Sequence, residues 1–366
     1  MSDSKAIGAR ATRTSKVEHT AGDPPEAETV LSVRHIQAEF VTRGTVVRAV
    51  RDVSFDVKRA QKVGIVGESG SGKSALALSI LGLIEPPGRV TGGSVWLNGR
   101  EVPLRDDRRM GRVRGREIGL VFQDPMTALD PVQSIGDQVA EGIRRHQRRI
   151  SRKAVRRMAV QLLQDVEIPM ADHRLDDYPH QYSGGMRQRI MIAIALANSP
   201  DVLIADEPTT ALDVITQAQI MDLLERLVAE HHTAVILITH NLGLVAEFCD
   251  VVQVMYAGRL VERSGVDDIF DGATHPYTEA LLKSVPRADH LESGPLPSIS
   301  GAPPNLAALP RGCAFEPRCP IGHGREVCIQ EQPMPILLGP PGAEMRVECH
   351  FASERYERAR AEGETR

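Results

Sequence analysis

Residues 67–74 read GESGSGKS, a G-x-x-x-x-G-K-S spacing with Gly67, Gly72, Lys73 and Ser74 at its fixed positions. At ordinary residue frequencies a chain of this length carries that pattern by accident on the order of once in a hundred cases. The flanks narrow the choice further. KVGIVG (62–67) is a short apolar run rich in β-branched residues, and SALALSILGLI (74–84) is an apolar, proline-free helix candidate. Strand, glycine loop and helix therefore follow in the order that a phosphate-binding loop requires. Glycines let consecutive backbone N–H groups turn inward around a polyanion, and the helix N-terminus adds a favourable dipole. The whole loop, Gly67, Glu68, Ser69, Gly70, Ser71, Gly72, Lys73 and Ser74, is the candidate phosphate cradle. Lys73 would neutralise the β- and γ-phosphate oxygens, and the Ser74 hydroxyl would ligate Mg²⁺.

Working outward, the chain has 366 residues, 42% of them hydrophobic and 25% charged, an ordinary globular balance with room for two or three domains. A net charge of −4 gives no general pull toward nucleic acid, and no nucleic-acid partner is expected. The longest apolar run, IMIAIALA (190–197), is far short of the ~20 residues needed to cross a bilayer, so the chain cannot form a pore alone. Residues 1–29 mix small, charged and proline residues without an apolar core, which reads as a disordered lead and not as a signal peptide or anchor. Cytosolic residence follows, and there five cysteines argue against a disulfide scaffold.

Alternation in LSVRHIQAEFV (31–41) and AVRDVSFDV (49–57) predicts antiparallel strands, and GSVWLNGREV (93–102) carries an Asn-Gly hairpin signal. From about 134 to 199 the pattern is helical. DVLIADEP (201–208) and TAVILITH (233–240) are short β-rich runs that fit buried parallel strands, and VVQVMYAGRLVE (251–262) reads as a hairpin. Within the helical part, RRHQRRISRKAVRR (144–157) is densely basic, with Ser151 placed to cap a helix; a solvated helix face is the expectation. VPRADHLESGPLPSISGAPPNLAALPRG (285–312) is a Pro-, Gly- and Ser-rich linker to a cysteine-bearing appendage.

DVLIADEP supplies the acids that a phosphate loop needs. Asp206 at the strand tip would hold Mg²⁺ through water, and Glu207 stands one residue on, placed to polarise an attacking water.

Further motifs stand in order: Gln123 in VFQDP, YSGGMRQR (182–189), DEPTTALD (206–213) and an ITH ending at His240. With these the sequence resembles the ATP-binding cassette (ABC) family over roughly 31–265. The resemblance implies an α/β fold, a RecA-like P-loop NTPase core with an antiparallel β-subdomain and a helical subdomain. The expected organisation is a cassette over 30–265 with its helical subdomain at about 134–199, an extension over 266–350 and a charged tail over 351–366. It also implies ATP hydrolysis by two cassettes clamped head to tail. Ser183, Gly184 and Gly185 would then contact the nucleotide bound by the opposite subunit's loop. His240 would hold the γ-phosphate and the attacking water, Gln123 would reach Mg²⁺ and that water, and Asp213 would join the two sites. The signature begins YSGGM where the commoner family form is LSGGQ, and Phe40 is the candidate for stacking on adenine.

THPYTEALLKSVP (274–286) resembles a segment of the ATPases of oligopeptide, dipeptide and nickel importers, as does GCAFEPRCP (312–320), which opens a set of Cys313, Cys319, Cys328 and Cys349. In some of those ATPases the cysteine motif holds a [4Fe–4S] cluster; four thiolates could equally bind zinc or stay free of metal. Cys249 is read as a core thiol, and His323 and His350 are given no role. What the resemblance implies is peripheral residence on the cytoplasmic membrane face and ATP-driven peptide import. The implied partners are a second, different cassette, two transmembrane permeases and an extracytoplasmic solute-binding protein. Nickel or oligosaccharide cargo, or redox regulation through the cysteines, are the alternatives.

Overall fold

The apolar run before the glycine loop becomes the middle strand of a parallel sheet, and the run after it becomes a helix. The computed structural model of the chain describes residues 15–16, 28–42, 44–147, 149–210, 212–285, 299–340 and 344–363. They fall into two units, one drawn from His19–Leu260 with Gly301–Leu309, the other from Met1–Glu18, Val261–Ser300 and Pro310–Arg366.

In the first unit Lys62–Val66 pairs in parallel with Ala234–Thr239 on one side and Val251–Tyr256 on the other. Ala234–Thr239 pairs in turn with Val202–Asp206, and that strand with Ile118–Val121. These runs lack alternation because both faces are covered: Val63, Ile65, Val202, Ile204, Ile236 and Ile238 are all 1% exposed or less. Helices Lys73–Ile80 and Gly184–Leu196 pack on the sheet. The apolar run 190–197 is thus the buried C-terminal half of a core helix, and no helix among the described residues is long and apolar enough to cross a membrane.

The antiparallel expectation also holds. Thr29–Thr42 pairs with Thr45–Lys58 and with Gly88–Leu97. Asn98 and Gly99, at φ 49° and 74°, make the turn into Arg100–Glu101. Alternation breaks where His35 and Asp52 take φ near +50°, and there the two side chains meet, Nδ1 to Oδ1 at 2.6 Å. Phe40 lies on the first of these strands with its ring against Gly88, where a Cβ would come within 2.6 Å of Cε1.

The helical part begins where expected. Ser134 caps Ile135–His146 and Ser151 caps Arg152–Asp165, each hydroxyl accepting from a backbone N–H three residues on. Cys249 is buried with its thiol pushed up to about 12 by burial, as suits a core residue. Ile118–Val121 is a strand with no sequence signal, having only four residues and no periodicity to detect.

The second unit holds a small antiparallel sheet: Ser15–Lys16 beside Ile336–Leu338, Ile336–Leu338 beside Met345–Val347, and Val347 and Arg346 opposite Glu262 and Arg263. One sequence expectation is corrected here and another is filled in. Ser15–Lys16 is a strand inside the stretch expected to be a disordered lead, and Ala352–Gly363 is a helix in the stretch expected to be a charged tail. That helix is tied down because Arg355 donates to the Thr274 carbonyl and to Glu279, both at 2.5 Å. The rest of the lead before residue 28, and linker residues 286–298, lie outside the described residues.

Candidate functional site

The phosphate loop closes on backbone contacts that only glycine allows. Gly67 at φ +154° and Gly72 at φ +107° each leave a Cβ position 2.2 Å from a carbonyl oxygen, of Met255 and Ala49 respectively. Any side chain there would force the loop open. Gly72 is also the N-cap of Lys73–Ile80, without a capping side chain, so the helix's first N–H groups face the loop unclaimed by a cap.

Lys73 is 6% exposed, and its ammonium donates to the carbonyls of Gly67 at 2.8 Å and Glu68 at 3.0 Å. Burial lowers its pKa, against the pull of Glu207, Asp206 and Glu68. The cation is therefore desolvated and surrounded by acids, an arrangement suited to taking phosphate oxygens as further counter-charges.

Asp206 ends the strand Val202–Asp206 and is 8% exposed. Burial raises its pKa, and the Ser74 hydroxyl donating to it opposes that rise. Its Oδ1 is buried without a hydrogen-bond partner. An orphaned carboxylate oxygen beside a serine hydroxyl, at the foot of a phosphate loop, is the hard-oxygen donor set that Mg²⁺ takes, so Ser74 and Asp206 fit that ion.

Glu207 follows at φ 47°, a left-handed backbone that is strained for a residue with a side chain, and its N–H donates to the carbonyl of Ile238 at 2.8 Å. Three groups hold its carboxylate. Gln123 Nε2 donates to Oε2 at 3.0 Å, Thr210 Oγ1 donates to Oε2 at 2.8 Å, and His240 Nδ1 lies 3.2 Å from Oε1. Burial pushes the Glu207 pKa up, but the hydrogen bonds from Thr210 and His240, with the charges of His240 and Lys73, bring it below the ordinary value. The structure thus brings Glu207, His240 and Gln123 into one cluster at the ends of parallel strands.

Thr210 was missed in the sequence, although its place three residues after Glu207 in DEPTTALD is the spacing at which a hydroxyl turns back onto a carboxylate.

Ser183, Gly184 and Gly185 do not join this cluster. Ser183 caps helix Gly184–Leu196 with Oγ 3.4 Å from the Met186 N–H, and a Cβ on Gly185 would sit 2.7 Å from Thr216. Tyr182, at the position where the commoner family form has leucine, is 3% exposed and donates its hydroxyl to the Arg174 carbonyl at 2.7 Å. The guanidinium of Arg174 lies 4.2 Å from its ring centroid, and burial pushes its pKa up to about 12. Asp213 caps helix Val214–His231, accepting from the N–H and hydroxyl of Thr216 at 3.0 and 2.7 Å, bonds that lower its pKa. Beside it Val214 and Ile215 are 81% and 72% exposed.

In the second unit Cys313, Cys319, Cys328 and Cys349 line one small cavity together with His275 and His350. Burial pushes Cys313 up to about 12 and Cys349 up to about 11, with the neighbouring thiols adding to the rise. Cys319 Sγ accepts from the Gly322 N–H at 3.2 Å, and a Cβ on Gly322 would lie 3.1 and 3.2 Å from the Cys328 and Cys319 sulfurs. Among the described residues no three His, Cys, Asp or Glu side chains are gathered closely enough to hold a metal ion. The donor chemistry, four thiols on one cavity, suits a soft metal group; the spacing is looser than a single ion takes. His275 was also missed: it caps helix Pro276–Lys283 by accepting the Tyr277 N–H at 3.1 Å. Its own N–H and that of Thr274 donate to buried Glu262, whose pKa burial raises to about 7.

Residues 50–210 match the ABC transporter family model, and 261–328 match that of the oligopeptide/dipeptide transporter C-terminal region. The oligopeptide transport ATP-binding protein OppD of Salmonella typhimurium is 46% identical over 311 residues, covering 85% of this chain and 91% of that protein. The dipeptide transport ATP-binding protein DppD of Bacillus subtilis is 45% identical over 340 residues, covering 93% and 99%. OppD of Mycobacterium tuberculosis is 51% identical over 292 residues, 80% of this chain; the chain spans 48% of that longer protein. Among solved structures, the dimeric ATP-binding cassette MJ0796 with ADP and Pi superposes at a TM-score of 0.58 with 28% identity, covering 64% of this chain and 98% of that one. The glycine loop, the acids at the strand ends and these relatives give one conclusion: the chain belongs to the ABC transporter family, in the group that carries the oligopeptide/dipeptide transporter C-terminal region.

Proposed function

We infer that the chain is the ATP-hydrolysing subunit of a peptide importer. The observation that carries the hydrolytic part of this reading is the Glu207 carboxylate, held by Gln123, Thr210 and His240 at a strand end and within electrostatic reach of Lys73 and Asp206. Water attacks the γ-phosphorus, the bond to the bridging oxygen breaks, and Glu207 takes the water's proton, leaving ADP and phosphate. Gln123 and His240 orient that water and the phosphate, and Lys73 with the loop N–H groups neutralises the charge. Ser74, Asp206 and Gln123 would hold Mg²⁺, which when bound neutralises charge on the phosphate oxygens.

Ser183, Gly184 and Gly185 serve the nucleotide of a second cassette, with Asp213 and the exposed Val214 and Ile215 at the junction. Phe40 is retained as the adenine-stacking residue. The second cassette is a different chain, two permeases span the membrane, and a solute-binding protein delivers the peptide from outside. The subunit sits on the cytoplasmic face as a peripheral component. Support comes from the importer-type C-terminal region and from the relatives' names.

The test is affinity purification of the tagged chain from mildly solubilised membranes, followed by mass spectrometry. Two polytopic permeases, a second cassette and a solute-binding protein are expected with it; recovery only in the soluble fraction with ribosomal or DNA-repair proteins would overturn the transport reading.

The cysteine cavity is proposed to hold a [4Fe–4S] cluster, with zinc the rival. Anaerobically purified protein should carry about four iron and four sulfide per chain, and Cys319→Ser should bring both near zero. Zinc instead of iron, or no metal in the wild type, would reject the cluster.

A further inference from the structure

The chain is acidic overall, yet two stretches concentrate positive charge. Residues 105–116 hold six arginines against two aspartates, and 141–157 hold eight Lys and Arg against one glutamate. The fold brings them together. Asn198 Nδ2 donates to the carbonyls of both Gly115 and Gly142, at 3.0 and 3.1 Å, clipping the 105–116 segment to helix Ile135–His146. A Cβ on Gly111 would lie 3.5 Å from Arg145 Nη2, and one on Gly115 would lie 3.6 Å from His146 Nε2.

The apolar side of these helices, Val139 and Ile143, then Val155, Ala159 and Leu163, is buried. The basic side is left outward. Arg112, Arg116, Arg144, Arg145, Arg152 and Lys153 are exposed, and none of them makes an ion pair among the described residues. The acids nearby are largely engaged: Asp107 pairs with Arg114 at 2.6 Å, and Asp176 with Arg156 at 3.7 Å.

Gathering like charges with few counter-charges costs stability, and a solvated helix face does not require two distant segments to converge. The charges are spread over the 105–116 segment and two helices, which matches an extended polyanion better than a single small ligand. We propose that this face adheres to the anionic phospholipid headgroups of a bilayer. The choice of a bilayer rests on the reading above that the chain works beside membrane-embedded partners. Among the described residues no helix can span, so a surface of this kind would hold the subunit at the membrane and orient its helical part toward it.

The experiment uses the purified full chain and sedimentation with vesicles of phosphatidylcholine alone or mixed with phosphatidylglycerol. Binding is expected only with phosphatidylglycerol, and it should fall away as salt rises from about 50 mM to about 500 mM, where screening reaches a few ångströms. Each neutralised side chain that reaches an anionic surface costs about fivefold in partition, so the combined variant R144Q/R145Q/R152Q/K153Q should lose about 25-fold even with two of the four in contact. Its ATP turnover and melting temperature should stay at wild-type values, and R89Q, on the antiparallel sheet, should sediment as wild type. Equal sedimentation with both vesicle types, undiminished binding by the combined variant, or binding to RNA without binding to vesicles would each overturn the proposal. Because the assay contains no permease, its result is independent of whether peptide import is the cargo reaction.

Discussion

Glu207→Gln should lower ATP turnover by about 10²–10⁴-fold, the usual contribution of a positioned general base, while leaving nucleotide affinity close to wild type. The glutamine keeps the shape and still accepts from Gln123 and Thr210, the partners found at 3.0 and 2.8 Å, so the cluster stays assembled. What it cannot do is take a proton. Since the Glu207 pKa lies below the ordinary carboxylate value, the wild-type residue is an ionised base throughout the neutral range, and acid should reduce turnover only below that range. Single-turnover hydrolysis in the assembled transporter, beside a direct nucleotide-binding measurement, separates the outcomes. Turnover near wild type would remove Glu207 from the mechanism; equal loss of binding and turnover would make it a structural residue.

Lys73→Ala should weaken ATP binding by about 10–100-fold, the range of the charge-assisted hydrogen bonds it would make to phosphate. Its effect on the unliganded fold should differ in kind. The ammonium is buried against the carbonyls of Gly67 and Glu68 and carries a desolvation cost large enough to lower its pKa despite three acids nearby. Removing it takes away that cost together with the bonds, so the melting temperature without nucleotide should change little, while the rise on adding ATP and Mg²⁺ should largely vanish. A variant that melts much lower without nucleotide would show that Lys73 serves the fold; one that keeps the full ATP-induced rise would show that the loop does not need it.

The core of the site was legible because its pieces are local. A glycine loop between a β-rich run and a helix, an Asp-Glu pair ending one strand and a histidine ending another all announce themselves within eight residues. What the sequence withheld depends on tertiary placement or on elements too short to show a period. Thr210 matters only because the chain turns back after Glu207, and the left-handed backbone of Glu207 has no sequence signal, since glutamate is not a residue that favours it. Ile118–Val121 and the three-residue strands Ile336–Leu338 and Met345–Val347 are ordered by their neighbours, not by their own pattern. Ala352–Gly363 is polar enough to pass for a tail; its anchor is Arg355, whose partners lie some eighty positions earlier. The four cysteines were visible as a set, but their meeting with His275 on one cavity was not.

The hydrogen bond from the Glu207 N–H to the Ile238 carbonyl carries the ladder of Val202–Asp206 and Ala234–Thr239 right up to the acid proposed as the base. The separation between the acid and His240 is thereby set by pairing register, as teeth set the phase of two gears. A single residue inserted within either strand would turn one of the pair to the opposite face of the sheet, whereas length changes in the turn His232–Thr233 would leave the phase untouched. In lineages descended from a common ancestor, insertions and deletions should accordingly accumulate in the connections and be absent from 202–207 and 234–240.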